Sequence, residues 1–504
     1  MVFILVTWFS TVYGYDVMHM KFQILVLLFV ALLGVFCIVY YFMHSSDDEL
    51  HKVAFVTILA FGLICCLAVP ICHHVDELEH LTRAEITSEG AIFPDWIGDE
   101  KGIDRLYNAS SGERSKLMNK GVGFNTIGSM YFYEKNRTLT VFQTDHDTDK
   151  INQSVYMRGS AFEQNPFYGY LPQGIGIFIA KLLDLNVIWI LWLGRIFNMI
   201  FYAGVVSLAV KKASCLKIPI IAIACIPVAL YQSASVSIDP MIFALGLLAI
   251  AYFMYMYKSD EKSLDNKHVA IYSVICLLLG LCKLPYLAFI FLLLLVPKRN
   301  FKRYNVLVIL LGILAVAAIG VLWSRYSTPA LMHSWRSSLN YVDSAKQLDF
   351  LLHNPSQILV FLKHTLTTGP WDMLSELFNF DYWTPESFVR FRFINVLLAI
   401  FLAVVLLVYP SDFKFDLKAK LGALAVFIIV YLGTFFVQLL TWANVGNMMV
   451  EVHMRYFIPL LALIPIIVQL RKNPFEKEMF DKYVMVFVVG FAATLVLAIF
   501  TRFY

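Results

Sequence analysis

Charge is what this 504-residue chain has least of: 15% of its residues are Asp, Glu, Lys or Arg, against about a quarter in an ordinary soluble domain. A normal water-facing surface cannot be covered with so few charges, and a soluble globular protein is excluded. The net charge is +4 with no basic block, so no nucleic-acid partner is expected. The sequence has no P-loop, no Gly-x-Ser-x-Gly and no Rossmann glycine pattern. Nor does it show internal repeats. Its eight cysteines fall inside or at the ends of apolar runs and none lies in a long polar loop. Neither a disulfide framework nor a cysteine zinc site is indicated.

What the chain does have is apolar length. Hydrophobic residues make up 59% and the mean hydropathy is +0.70. Runs of about twenty apolar residues recur, each enough to cross roughly 30 Å of hydrocarbon. The expected spans are 22–43, 52–72, 187–210, 216–232, 238–257, 269–282, 284–296, 305–323, 388–408, 420–441, 455–470 and 480–501. Backbone groups in lipid must be satisfied within each segment, so the fold class is an all-α polytopic membrane protein of about 11–13 transmembrane helices. Pro285 in Cys282-Lys283-Leu284-Pro285 is expected to break the long run 269–296, giving two short segments or one kinked helix. Residues 1–20 form an uncertain N-terminal segment: Phe3 to Tyr15 is apolar but short, and Met20-Lys21 reads as an alternative start.

Short loops rich in Lys and Arg set orientation. Lys211-Lys212, Lys258 to Lys267, Lys298-Arg299 with Lys302-Arg303, Lys414 to Lys420, and Arg471-Lys472 fall on one side of the expected spans. That side is expected to be cytoplasmic, although it also holds the acidic segment 44–51. The organisation is then a pair of helices over 21–72, an extracytoplasmic loop over 73–186, helices over 187–323, a second extracytoplasmic loop over 324–387, and C-terminal helices over 388–504. Three Asn-x-Ser/Thr sequons, at Asn108, Asn136 and Asn152, fit exposure of the first loop. Helix-compatible stretches in the second, at 345–352 and 356–366, suit an interfacial position.

The chemistry gathers where the second apolar run ends. His73, His74, Asp76, Glu77, Glu79, His80 and Arg83 follow within eleven residues. Such groups at a membrane boundary need partners or water. An aqueous site with a carboxylate base is one reading; a solvated helix start, where the dipole favours acids, is the other. On a helix Asp76 and Glu77 both lie one turn from His80. His73, Asp76, Glu77 and His80 also offer nitrogen and oxygen ligands to a divalent metal, although the His-Glu-x-x-His spacing of zinc peptidases is lacking. Further charges sit in or beside apolar runs at Arg195, Asp239, Lys283 and Arg455, the last after Glu451 and His453. They either pair with one another, for example Asp239 with Lys283 or Glu451 with Arg455, or bind an anionic lipid phosphate.

Asp76, Glu77, His80, Arg83 and Ala84 after Pro70 resemble the Pro-x-x-Asp-Glu-x-x-His-x-x-Arg-Ala signature of bacterial membrane proteins known as the domain of unknown function 2142 family. Further blocks follow in that family's order: Tyr170-Leu-Pro172, Leu193-Gly-Arg195 with Asn198, Ser235-Val-Ser-Ile-Asp239, Lys283-Leu-Pro-Tyr286 and Arg455-Tyr-Phe-Ile-Pro459. The likeness covers about residues 55 to 470. Cys72, His73 and His74 replace the usual Pro and apolar residues, and Glu451-Val-His-Met-Arg-Tyr replaces Gly-x-x-Gly-Arg-Tyr. The resemblance implies a GT-C-like bundle and an inverting glycosyltransferase in the bacterial plasma membrane, its site facing outwards. It implies a polyprenyl-phosphate-linked sugar donor, a cell-surface glycan or lipid-linked acceptor, and Asp76 or Glu77 as base. His80, Arg83, Arg195, Asp239, Lys283, Tyr286, His453 and Arg455 are the expected donor-phosphate and substrate contacts. No resident cofactor is expected beyond a divalent metal at the four residues above. The alternatives are a transporter or flippase for lipid-linked glycans, or a glycan polymerase.

Overall fold

The computed structural model describes residues 17–71, 73–93, 150–151, 162, 164–332, 342–377, 392–470, 473 and 475–503. Among them the chain is helical, with two isolated β-bridges and no named strand. The three sequons and the segment Phe3 to Tyr15 lie outside the described residues.

Among the described residues seven helices are long and apolar enough to cross a membrane: Ile24–Met43, Leu50–Ala68, Ile188–Lys212, Asp239–Lys258, Val306–Ser327, Leu417–Thr441 and Lys477–Phe503. Three shorter apolar segments, Asn266–Cys282, Leu284–Leu295 and Phe393–Val408, accompany them. Two of the expected spans are not continuous. The run 216–232 folds as Lys217–Ala224 and Pro227–Ser233, and 455–470 contains the short helices Ile458–Leu461 and Ile464–Ile467. Pro227, Pro459 and Pro465 stand in the first turns of these pieces, where a residue without an N–H can start a helix but could not continue one.

The run 269–296 breaks as its proline requires. The Asn266–Cys282 helix stops, Lys283 is extended, and a twelve-residue 3-10 helix, Leu284–Leu295, follows. Such helices seldom exceed four residues. The helix-compatible stretches of the second loop form Ser344–His353 and Gln357–Thr367, followed by Gly369–Leu377.

The basic turns meet at one end of the bundle. Lys217 Nζ donates to the Asp47 carbonyl at 2.6 Å, Lys258 Nζ to that of Ser214 at 3.0 Å, and Lys418 Nζ to that of Leu294 at 3.1 Å. The Lys262 amide donates to the Arg299 carbonyl at 2.9 Å. The acidic 44–51 turn therefore belongs with the basic ones, as the span count requires. At the other end gather the motif residues. The Asp239–Lys258 helix is buried over most of its length and packs against Ile188–Lys212, which in turn packs against Leu50–Ala68 and Leu171–Leu182. Gly176 permits the last of these contacts: a Cβ there would run into the Leu193 carbonyl, so the two backbones touch. Small residues at the contact are the usual means of close helix approach in lipid.

Candidate active site

Two adjacent carboxylates have opposite fates. Beyond Ala68 the chain leaves the helix and re-enters one at Glu77–Ser88, with Asp76 as its N-cap at φ 54°, ψ 14°. Asp tolerates this left-handed region better than most residues, and strain of this kind is of order 1–3 kcal/mol. Asp76 makes no side-chain capping bond to its own helix; its carboxylate lines a cavity and its side chain is 32% exposed.

Glu77 turns the other way into the protein. Its carboxylate takes Arg195 Nε at 2.7 Å and Nη2 at 2.5 Å, and its Oε1 accepts the Val236 amide at 3.0 Å. Arg195 also donates to the carbonyls of Cys66, Val69 and Pro70. Both side chains are buried. The expectation of Glu77 as an alternative base and Arg195 as a phosphate ligand is thereby corrected: neither reaches the cavity, and together they tie the end of the Leu50–Ala68 helix to the Ile188–Lys212 helix.

The cavity has a volume of about 680 Å³. One wall carries Asp76, Asp239, Lys283 and Tyr456. Arg455 lies buried behind it, with Nε 2.7 Å from Asp239 Oδ2 and Nη2 3.8 Å from Asp76 Oδ2. The observed partner of Asp239 is thus Arg455, where the ion-pair reading expected Lys283. Lys283 instead places its ammonium 3.1 Å from the centre of the Tyr456 ring, and the Arg455 guanidinium lies 4.9 Å from the same ring. A cation over an aromatic face is attracted by the negative face of the ring. Tyr286 is corrected too: it is buried and donates to the Tyr456 carbonyl at 2.6 Å, supporting that residue from outside the cavity.

Asp239 is held by its loop. Asn198 Nδ2 donates to the Ser235 and Ser237 carbonyls, and Gln173 Nε2 to Ser237 and Gly169. His80 reaches the cavity, stacked on Phe162 at 3.9 Å and hydrogen-bonded through Nδ1 to the Tyr170 hydroxyl at 2.6 Å. Arg83 does not line the cavity. It is buried and donates to Thr87 Oγ1 and to the carbonyls of Ile92 and Asn165.

The expected metal set is not assembled. Glu77 faces Arg195, His80 faces Tyr170, and His73 packs on Phe503 at 4.9 Å. Among the described residues no group of three or more His, Cys, Asp or Glu side chains stands close enough to hold a metal.

The opposite wall is one that the sequence did not single out. It carries His364, Asp372 and Glu376 from the second loop, facing Glu451 and His453. Glu376 Oε2 accepts the Met454 amide at 2.6 Å, and its Oε1 lies 4.0 Å from His453 Nδ1. Burial, and then the neighbouring Glu451, push the Asp372 carboxyl above its ordinary value, with His364 opposing. His453 moves down to about 3, through burial first and then the Arg455 and Lys283 cations. The available signal was Asp372 and Glu376 one helical turn apart in an otherwise apolar interfacial stretch.

No curated protein and no solved structure matches the chain. A family model described as "Predicted membrane protein (DUF2142)" matches residues 59–464. The match takes in both cavity walls, the Glu77–Arg195 tie and the broken segments between them, and the chain belongs to that family of multi-pass membrane proteins.

Proposed function

We propose that this protein is a GT-C-type membrane glycosyltransferase. In this reading it moves a sugar from a polyprenyl-phosphate-linked donor to a cell-surface glycan or lipid-linked acceptor on the extracytoplasmic face of a bacterial plasma membrane. The observation that carries it is the meeting of a partly exposed carboxylate, Asp76, with Lys283 and Arg455 around one cavity at the end of the bundle remote from the basic turns. The positive-inside rule makes those turns cytoplasmic and the cavity extracytoplasmic.

Each side chain then has a task. Asp76, beside Arg455, accepts the proton of the acceptor hydroxyl as its oxygen attacks the anomeric carbon. The bond from that carbon to the phosphate oxygen breaks, and its electron pair leaves with the polyprenyl phosphate. Lys283 stabilises the charge that develops there, while Arg455, buried behind the wall, holds Asp239 and lies beside Asp76. A single displacement inverts the anomeric centre. The Asp372, Glu376 and Glu451 carboxylates that also line the cavity offer acceptors for sugar hydroxyls, and the Trp323 and Trp442 rings offer faces for sugar rings.

The test is transfer from radiolabelled polyprenyl-phosphate sugars to membrane acceptors by purified protein in nanodiscs. Transfer by the wild type and its loss in Asp76→Asn support the reading. Absence of transfer with every donor and acceptor, or an Asp76→Asn variant of normal activity, overturns it.

A further inference from the structure

A second hollow adjoins the cavity. It has a volume of about 420 Å³ and lies between the Leu284–Leu295 segment, the Val306–Met332 helix and Ile429 of the Leu417–Thr441 helix. Apart from Ser324 its lining is apolar. Leu284 and Pro285 belong to both walls, directly after Lys283. On the facing helix the same passage occurs: Gly320, Val321 and Ser324 line the groove, while Trp323 and Ser327 line the cavity.

The 3-10 geometry accounts for the groove. With three residues per turn, side chains three apart eclipse, so the segment presents three columns. Tyr286, Phe289 and Leu292 form one column and are wholly buried in the protein. The other two columns, Leu284, Leu287 and Ile290 with Pro285, Ala288 and Phe291, all line the groove. An α-helix of the same sequence would turn its side chains by 100° per residue and scatter these columns. Phe291 and Val321 are exposed at the groove's edge, as side chains facing lipid tails would be.

Resting on the donor reading above, we infer that this groove holds the first isoprene units of the donor lipid while its phosphate meets Lys283. The occupant is set by continuity: an amphiphile with an anionic head and a long apolar tail fits a cationic residue at the junction of a polar cavity and an apolar channel. Another apolar hollow, between Ser344–His353, Gln357–Thr367 and Leu417–Thr441, measures about 330 Å³ and shares no lining residue with the cavity. It gives no comparable path from head to tail.

The experiment uses the full chain in nanodiscs with a polyprenyl phosphate carrying a diazirine on its second isoprene unit. Irradiation should label peptides covering 284–291 and 313–324. Unlabelled polyprenyl phosphate at about ten times its Kd should reduce that labelling about tenfold, whereas the corresponding polyprenol should not. Ala317→Trp, which fills the groove from its exposed side, should remove the labelling and leave the protein folded. Saturable labelling at 351–362 or elsewhere overturns the groove assignment and leaves the donor reading standing. Equal competition by polyprenol overturns the link to Lys283. If no labelling is saturable anywhere on the wild type, the donor reading fails, and the groove assignment with it.

Discussion

Glu77→Gln and Asp76→Asn alter neighbouring residues by the same chemistry, yet they should fail in different ways. Glu77 is 1% exposed and Arg195 0%, so the amide variant takes the carboxylate away from a buried guanidinium that also donates to three carbonyls. It also turns one N–H₂ group towards another donor. Breaking a buried pair by removing one partner typically destabilises by about 3–5 kcal/mol, against a total stability of about 5–15 kcal/mol. Glu77→Gln should therefore accumulate poorly and melt well below the wild type when heated in detergent and followed by size-exclusion fluorescence. A Glu77→Leu, Arg195→Leu double variant, which removes both charges, should recover part of the loss. Asp76→Asn keeps a residue that tolerates positive φ at a partly exposed position. Its melting should match the wild type while transfer falls by roughly 10²–10⁴. A Glu77→Gln protein of wild-type melting temperature but without transfer would refute the reasoning and assign Glu77 to the chemistry. An unstable Asp76→Asn would make Asp76 scaffold.

Lys283→Met should raise the apparent donor KM steeply, since truncating a charge that contacts a buried partner costs about 2–5 kcal/mol, with normal accumulation; an unchanged KM removes Lys283 from the donor site. Arg455→Met should instead resemble Asp239→Asn and accumulate poorly, because each removes one side of the same buried 2.7 Å ion pair. His453 sits near 3 in the fold and at about 6.5 when unfolded, so between those values the unfolded chain binds more protons and stability rises with pH. Replacing it by Gln should flatten the melting temperature between pH 4.5 and 6.5, and an unaltered slope would exclude His453 as its source. Cysteine placed at Ser356 of an otherwise Cys-free protein should react with an impermeant maleimide on intact cells, and one placed at Ser263 should not; the opposite pattern inverts the proposed orientation.

The apolar spans were legible because lipid demands length, and length is written in the sequence. The break at Pro285 was legible as an interruption, whereas 216–232 and 455–470 read as single spans and their breaks appear only in the structure. That the first would become twelve residues of 3-10 helix depends on its packing between three neighbours, which no local pattern records. The motif 76–83 marked a polar centre but could not divide its members. Asp76 and Glu77 are consecutive and the left-handed backbone of Asp76 itself sends them apart, while the partner of Glu77 lies 118 positions away. Nor could spacing choose between Lys283 and Arg455 as the partner of Asp239. The wall of His364, Asp372 and Glu376 came from a segment whose amphipathic pattern predicts a helix and says nothing about what the helix covers.

The separation of scaffold from site follows from backbone bookkeeping. Where the chain leaves a helix at membrane depth, its freed amides and carbonyls need partners from the protein. Arg195 answers the carbonyls of Cys66, Val69 and Pro70, Asn198 those of Ser235 and Ser237, Tyr286 that of Tyr456, and Glu376 the amide of Met454. Arg83 does the same for Ile92 and Asn165. These residues explain why so many polar groups lie in apolar surroundings without invoking a ligand for each. Glu376 alone of them also lines the cavity, with its other oxygen near His453. Asp76, Lys283, Glu451 and His453, by contrast, line the cavity. The broken helices thus perform two tasks at once: they open an aqueous pocket at the membrane boundary, and they absorb the buried polar side chains needed to keep it open. Substrate discrimination should therefore vary with residues of the second set, and failure to fold with those of the first.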